Sequence, residues 1–197
     1  MNVACHDCGK DEMKIRCLYH NPKGERGVGK AIVAWTWVLA IFYSLKAWLY
    51  NFSHEEVWLP EVHYAKDGSI LGYAWFAGRC FSSTTRGKWK GVRFAPASEV
   101  LKHPERWSYI EVEVDPAWLR VAIAWAEDAV GAGYDYGYIL SFLQPFIVQK
   151  ESDWACSEIC DYFKRLCRII PKYHKRISPR RSAYLLAKKW GEPKALI

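Results

Sequence analysis

The chain has 197 residues and a mass of 22.9 kDa, enough for one domain with a substantial core. Hydrophobic residues make up 51% and charged residues 25%, which fits a globular fold and excludes disorder of the low-hydrophobicity, high-charge kind. Lys and Arg number 28 against 21 Asp and Glu, so the formal charge is +7, an excess that favours an anionic partner without choosing among nucleic acid, acidic lipid and wall polymer.

Residues 1–12 form a short polar leader, and residues 13–197 read as a single domain. Alternation in Lys14-Ile15-Arg16-Cys17-Leu18-Tyr19 predicts a first strand. Asn21 to Gly27 is a loop on its Pro and Gly content. Residues 31–45 are then uncharged between Lys30 and Lys46, which falls short of the roughly 20 apolar residues that span a bilayer. They read as a buried or interface-lying helix. Membrane association through 31–50 stays open, because Trp35, Trp37, Phe42, Tyr43 and Trp48 are residues that favour a lipid boundary. No secretory signal precedes the run, so a cytoplasmic or virion-associated location is expected.

From Glu55 to Val114 the signals turn to strands. Val57-Trp58-Leu59, Arg79-Cys80-Phe81-Ser82 and Gly91-Val92-Arg93-Phe94 are short and rich in β-branched or aromatic residues. The clearest strand is 107–114, with Ile110, Val112 and Val114 on one face against Glu111 and Glu113 on the other. Asp115-Pro116 reads as N-cap and first residue of a helix carrying Leu119, Ala122, Ile123, Ala126 and Val130. A second helix is expected from about Ser157, and a third from Ser178-Pro179 to about Trp190. Strands in the middle with helices on both sides give an α+β class, a small antiparallel sheet or barrel packed against helices.

The seven cysteines are an odd number, which argues for reduced thiols acting mostly as small apolar fillers rather than a disulfide framework. Cys5, Cys8, Cys17 and His20 have the composition of a small zinc site. The gap between Cys8 and Cys17 is short for a free-standing finger, and Cys17 is committed to the first strand. The expectation is therefore no metal and no cofactor, with the leader a disordered extension.

Three segments carry groups suited to chemistry. In Asp153-Trp154-Ala155-Cys156-Ser157-Glu158 a cysteine falls at or near a helix N-terminus, where the macrodipole and free N–H groups favour a thiolate and an oxyanion. Equally, Cys156 fits a buried structural thiol with Ser157 or Asp153 as the helix cap. In Ser53-His54-Glu55-Glu56, His54 and Glu56 share a strand face. A thiol nucleophile needs an imidazole to take its proton and a polar group to fix the ring, roles these two fit. They fit a solvated strand start as well. Finally, Gly133-Tyr134-Asp135-Tyr136 reads as a site lining with Tyr134 or as a turn after a helix.

Four stretches in order, Ser53-His54-Glu55-Glu56, Phe81-Ser82-Ser83 with Gly91-Val92-Arg93-Phe94, Tyr134-Asp135, and Cys156-Ser157-Glu158, resemble the circularly permuted, NlpC-like papain-fold cysteine hydrolases of the YiiX/YebB type, versions of which occur in phage genomes. The resemblance covers roughly Met13 to Ser182. It implies a permuted papain-like fold, with Cys156 as nucleophile and His54 as general base about a hundred residues before it. For the third member it points near Ser82 or Ser83, and Glu56 is the preferred substitute. The insert His63 to Ala77 departs from the family and is expected beside the site, as a lid or specificity element.

The leading expectation is a cysteine amidohydrolase or peptidase forming an acyl-enzyme on an amide or ester of a peptidoglycan-like or lipid-like anionic substrate. Its rival is a catalytically silent papain-fold protein, structural or membrane-associated, of a phage. Nucleic acid is disfavoured, because the cations are dispersed apart from Lys164, Arg165, Arg168, Lys172, Lys175, Arg176, Arg180 and Arg181, which read as a solvated helix face or anion-contact patch.

Overall fold

The computed structural model describes residues 13–22, 52–85, 90–137, 153–171 and 177–196. Its strands are β1 (Met13–His20), β2 (His54–Tyr64), β3 (Ile70–Thr84), β4 (Gly91–Pro96), β5 (Trp107–Val114) and β6 (Lys194–Ala195). They form one antiparallel sheet in the order β4-β3-β2-β1-β5-β6. The sheet is open, so of the sheet and barrel expected from sequence the sheet is found. The helices among the described residues are the short α1 (Ala97–Val100), α2 (Pro116–Asp128), α3 (Cys156–Leu166) and α4 (Pro179–Trp190). The class is mixed α+β.

Period-two alternation sorts the strands onto two faces. Ile15, Cys17 and Tyr19 of β1, Val57 of β2, Phe81 of β3 and Ile110, Val112 and Val114 of β5 join Leu119, Ala122, Ile159, Phe163 and Leu186 of the helices in one core. On the reverse face Leu18, Trp58, Cys80 and Trp107 pack with Ala97, Leu101 and Leu196. With both faces covered, the start of β2 is buried at consecutive positions from Glu55 to Leu59.

Helix starts follow their local chemistry. Asp115 caps α2 by accepting the Ala117 N–H, with Pro116 next to it. Ser178 does the same for α4 through the Arg181 N–H. Gly91 is required twice over: its φ is +79°, and a Cβ there would stand 2.3 Å from the Ala132 carbonyl oxygen. That approach lets Val92 N–H donate to Ala132 and Gly131 N–H donate back to Val92. The 131–133 segment then presents the Gly133 carbonyl to Trp154 N–H at 3.0 Å, two residues before α3 begins.

Two expectations change here. Residues 63–77 lie not beside the site but in a long hairpin in which Glu61 to Tyr64 pair with Ala74 to Ile70. Its tip lies ten residues along β2 from His54, on the order of 30 Å at about 3.3 Å per residue, and it therefore cannot cover that end as a lid. Tyr73 and Trp75 instead turn over the other end of the sheet, where the Tyr73 hydroxyl accepts from Lys14 N–H and Trp75 stacks on Arg16. Nor do the C-terminal cations form one solvated face. Lys164 and Arg180 are 0% and 1% exposed, Arg165 pairs with Asp161 at 2.6 Å, and Arg168 lies over Trp118. The apolar run 31–50, and Lys172, Lys175 and Arg176, lie outside the described residues. Among those described, no helix is long and apolar enough to cross a membrane.

Candidate active site

The site stands where β2 begins. The β2–β3 ladder runs from Val57↔Phe81 toward the hairpin, while β2 stays paired to β1 down to His20↔His54. Into the gap between β2 and β3 comes α3. The Cys160 thiol donates to the carbonyls of Glu55 and Phe81 at 3.5 and 3.7 Å, and the Ser82 hydroxyl donates to the Glu55 carbonyl at 2.7 Å. One turn earlier on α3, Cys156 reaches round to His54. A helix lying mainly on one face of the sheet thus offers its first residue to a side chain on the other.

His54 sits between two partners. Its Nε2 lies 2.9 Å from Glu56 Oε1, and its ring is also hydrogen-bonded to the Cys156 thiol. Glu56 is 1% exposed and is gripped by both terminal nitrogens of Arg93, Nη1 lying 2.7 Å from Oε2. Burial works against a charge on Glu56, but the Arg93 guanidinium, and then His54, outweigh it and hold the carboxyl at about 2. An ionised Glu56 accepts only, so His54 Nε2 carries a hydrogen and Nδ1 is the nitrogen left for Cys156. Burial likewise opposes an imidazolium. The charge and hydrogen bond of Cys156, with those of Glu56, override it and raise His54 to about 10. The imidazole is thus held protonated above its ordinary range.

The first turn of α3 carries no side-chain cap. Its N-cap is Ala155, whose methyl group cannot accept a hydrogen bond, and neither Ser157 nor Asp153 takes that role. The carboxylate of Glu158 accepts the Ala155 N–H at 3.3 Å. Burial first, with Asp135 and Asp161 adding to it, raises Glu158 to about 7. Cys156 is 6% exposed and the His54 side chain 22%. Across the sheet, His20 stands opposite His54 and Trp107 opposite His20, with the two rings 4.9 Å apart. His20 Nδ1 lies 3.3 Å from the Ser53 hydroxyl.

The residues singled out in the sequence divide as follows. Cys156, His54 and Glu56 come together. Ser82 is spent on the Glu55 carbonyl, and the Ser83 hydroxyl is buried with no hydrogen-bond partner among the described residues, so neither reaches His54. Tyr134 packs on Tyr136 at 5.1 Å, and its segment serves the site through the Gly133 carbonyl that holds Trp154. Cys17 and His20 cannot share a metal: three residues apart on one strand they face opposite ways, and burial pushes the Cys17 thiol up to about 12. Cys5 and Cys8 lie outside the described residues, among which no cluster of metal-ligating side chains forms.

Arg93 was not anticipated as part of the site, although one charged residue between Val92 and Phe94 in a short apolar strand was a usable signal. Compared with protein-family models, curated proteins and solved structures, the chain gives no significant match, so its function is read from this geometry.

Proposed function

We propose that the protein is a cysteine hydrolase of the amidase or peptidase kind, acting through an acyl-enzyme, on a permuted papain-like fold. The observation that carries this reading is His54 held between Cys156 and a Glu56 that is itself fixed by Arg93. The order in the chain, with the histidine strand ahead of the cysteine helix, supports the permuted arrangement.

In the proposed cycle His54 holds the proton and Cys156 Sγ attacks the carbonyl carbon of an amide or ester. The N–H groups of the uncapped first turn of α3 stabilise the tetrahedral oxyanion. The imidazolium then gives its proton to the leaving amine or alcohol, and the C–N or C–O bond breaks to leave a thioester. A water molecule, deprotonated by His54, attacks that thioester. Acid is released and Cys156 regenerated. Glu56 and Arg93 touch no substrate and act as positioning residues. The net basic charge suits a wall peptide or a lipid-linked amide or ester at an anionic surface.

The rival reading, a silent fold kept for structure, is favoured by the 6% exposure of Cys156. Labelling with iodoacetamide from pH 5 to 9, with the modified cysteine located by mass spectrometry, separates the two. The hydrolase reading expects Cys156 to be labelled well below pH 8, ahead of the buried thiols, and expects His54→Ala to abolish that preference. Labelling of Cys156 no faster than the others and indifferent to His54 would leave the silent reading.

A further inference from the structure

On the face of β2 opposite His54 and Glu56 lies a second buried ionic cluster. Glu55 and Lys164 are both 0% exposed, and Lys164 Nζ lies 2.5 Å from Glu55 Oε1. Lys164 also hydrogen-bonds the Ser182 hydroxyl, which donates to Glu55 Oε1 at 2.8 Å and meets the Tyr19 hydroxyl at 3.1 Å. Four elements, β1, β2, α3 and α4, converge on it. The second oxygen of Glu55 is buried with no hydrogen-bond partner among the described residues.

As a source of stability this cluster is poorly explained. Burying an ion pair carries a large desolvation cost for each ion, and apolar replacement of such pairs is often neutral or stabilising. An unsatisfied carboxylate oxygen adds to the cost. What the pair does provide is direction. Cys156, Cys160 and Lys164 follow one another at successive turns of α3. Cys156 meets His54, Cys160 donates to the Glu55 carbonyl, and Lys164 seizes the Glu55 carboxylate. Three successive turns of the helix thus grip two consecutive residues of β2. An apolar contact is non-directional, whereas a buried, hydrogen-bonded ion pair is satisfied in one geometry. A misplacement of about 1 Å is enough to impair a thiol and an imidazole that must exchange a proton.

We propose that Glu55 and Lys164 are positioning residues, a clamp setting the register of the nucleophile helix on the base strand; this rests on the hydrolase reading above. Glu55 occupies the only position of β2 between the base and its orienting carboxylate, so a shift of Glu55 moves both.

The test is the folded Glu55→Gln/Lys164→Met variant, which removes both charges and keeps the volumes. Thermal unfolding and near-ultraviolet circular dichroism report the fold, and iodoacetamide labelling of Cys156 from pH 5 to 9 reports the pair. The clamp predicts a native-like fold with Cys156 labelling slowed at least about tenfold at pH 7 and its His54-dependent limb flattened. A merely structural pair would move the melting temperature and leave that profile alone, so a wild-type profile in the folded variant overturns the clamp. If the double variant fails to fold, Ser182→Ala decides, since it deletes only the bridging hydroxyl. About threefold slowing supports the clamp, and an unchanged profile overturns it. Failure of the underlying reading looks different: wild-type Cys156 would then be labelled no faster than the other thiols and be indifferent to His54→Ala.

Discussion

Two neighbouring carboxylates on β2 meet opposite fates. Glu56 faces Arg93, which offers two parallel N–H donors, and its carboxyl is held at about 2. Glu55 faces Lys164, a single point charge that serves one oxygen only; burial raises its carboxyl above the usual range despite that partner. Lys164 is in turn held charged by Glu55, which overcomes the burial that would neutralise it. Burial is alike for the two acids, at 0% and 1% exposure, so what differs is the company: Glu56 has a guanidinium and the His54 ring, whereas Glu55 has one ammonium, with Asp161 acting against it. A guanidinium satisfies a whole carboxylate, and an ammonium does not. One face of the strand is thereby tuned for a permanent charge beside His54, the other for a grip on a helix.

The comparison breaks first at Glu56. Replacing it by Gln leaves the always-charged Arg93 buried without its counter-ion, a loss of about 3–5 kcal/mol in denaturant unfolding. Lys164→Met is expected to cost less, about 1–3 kcal/mol by the same measurement, because a carboxyl left without its cation can take up a proton, whereas Arg93 left without Glu56 cannot shed one. Equal costs for the two would contradict the difference drawn between the two buried pairs.

Acid should sharpen the contrast. Glu56 has a depressed carboxyl, so its contribution is fully present above about 4.5 and is lost as pH falls toward 2. That amounts to about 3 kcal/mol of stability, visible as an acid limb in unfolding free energy that Glu56→Gln lacks. The smallest effect belongs to Glu158, raised to about 7. An acid with a raised value contributes stability that is full below about 4.5 and is lost as pH climbs through about 7. Its share, discounted for partial exposure, is about 1 kcal/mol, so Glu158→Gln should melt about 2–4 °C above wild type at pH 8 and show no gain at pH 4.

Much of this arrangement could be read along the chain, because local chemistry dictates it. The Ile110, Val112, Val114 alternation, the Asp115-Pro116 and Ser178-Pro179 helix starts, and the same-face spacing of His54 and Glu56 are all contacts between near neighbours. The clamp could not be read. Glu55 and Lys164 are 109 residues apart, and each looks like a solvated charge in its own segment. The one local hint was Lys164 following Cys160 by one turn on the apolar stripe of α3. The hairpin was missed for a related reason. Residues 70–77 contain Gly72 and small alanines that weaken a strand pattern, whereas the register with β2 supplies the pairing that the sequence alone does not. Gly78 marks the place where the two strands close up, since a Cβ there would lie 2.0 Å from the Leu59 carbonyl oxygen.

The central claim is that His54, set between Cys156 and Glu56, keeps its charge well above the usual imidazole range. The direct measurement is an NMR titration of the His54 imidazole nitrogens in the wild type and in Cys156→Ala. The account predicts titration near pH 10 in the wild type, and a fall of several pH units in the variant, where burial opposes the charge with only Glu56 to support it. A His54 that titrates near 6.5 in both proteins would contradict it.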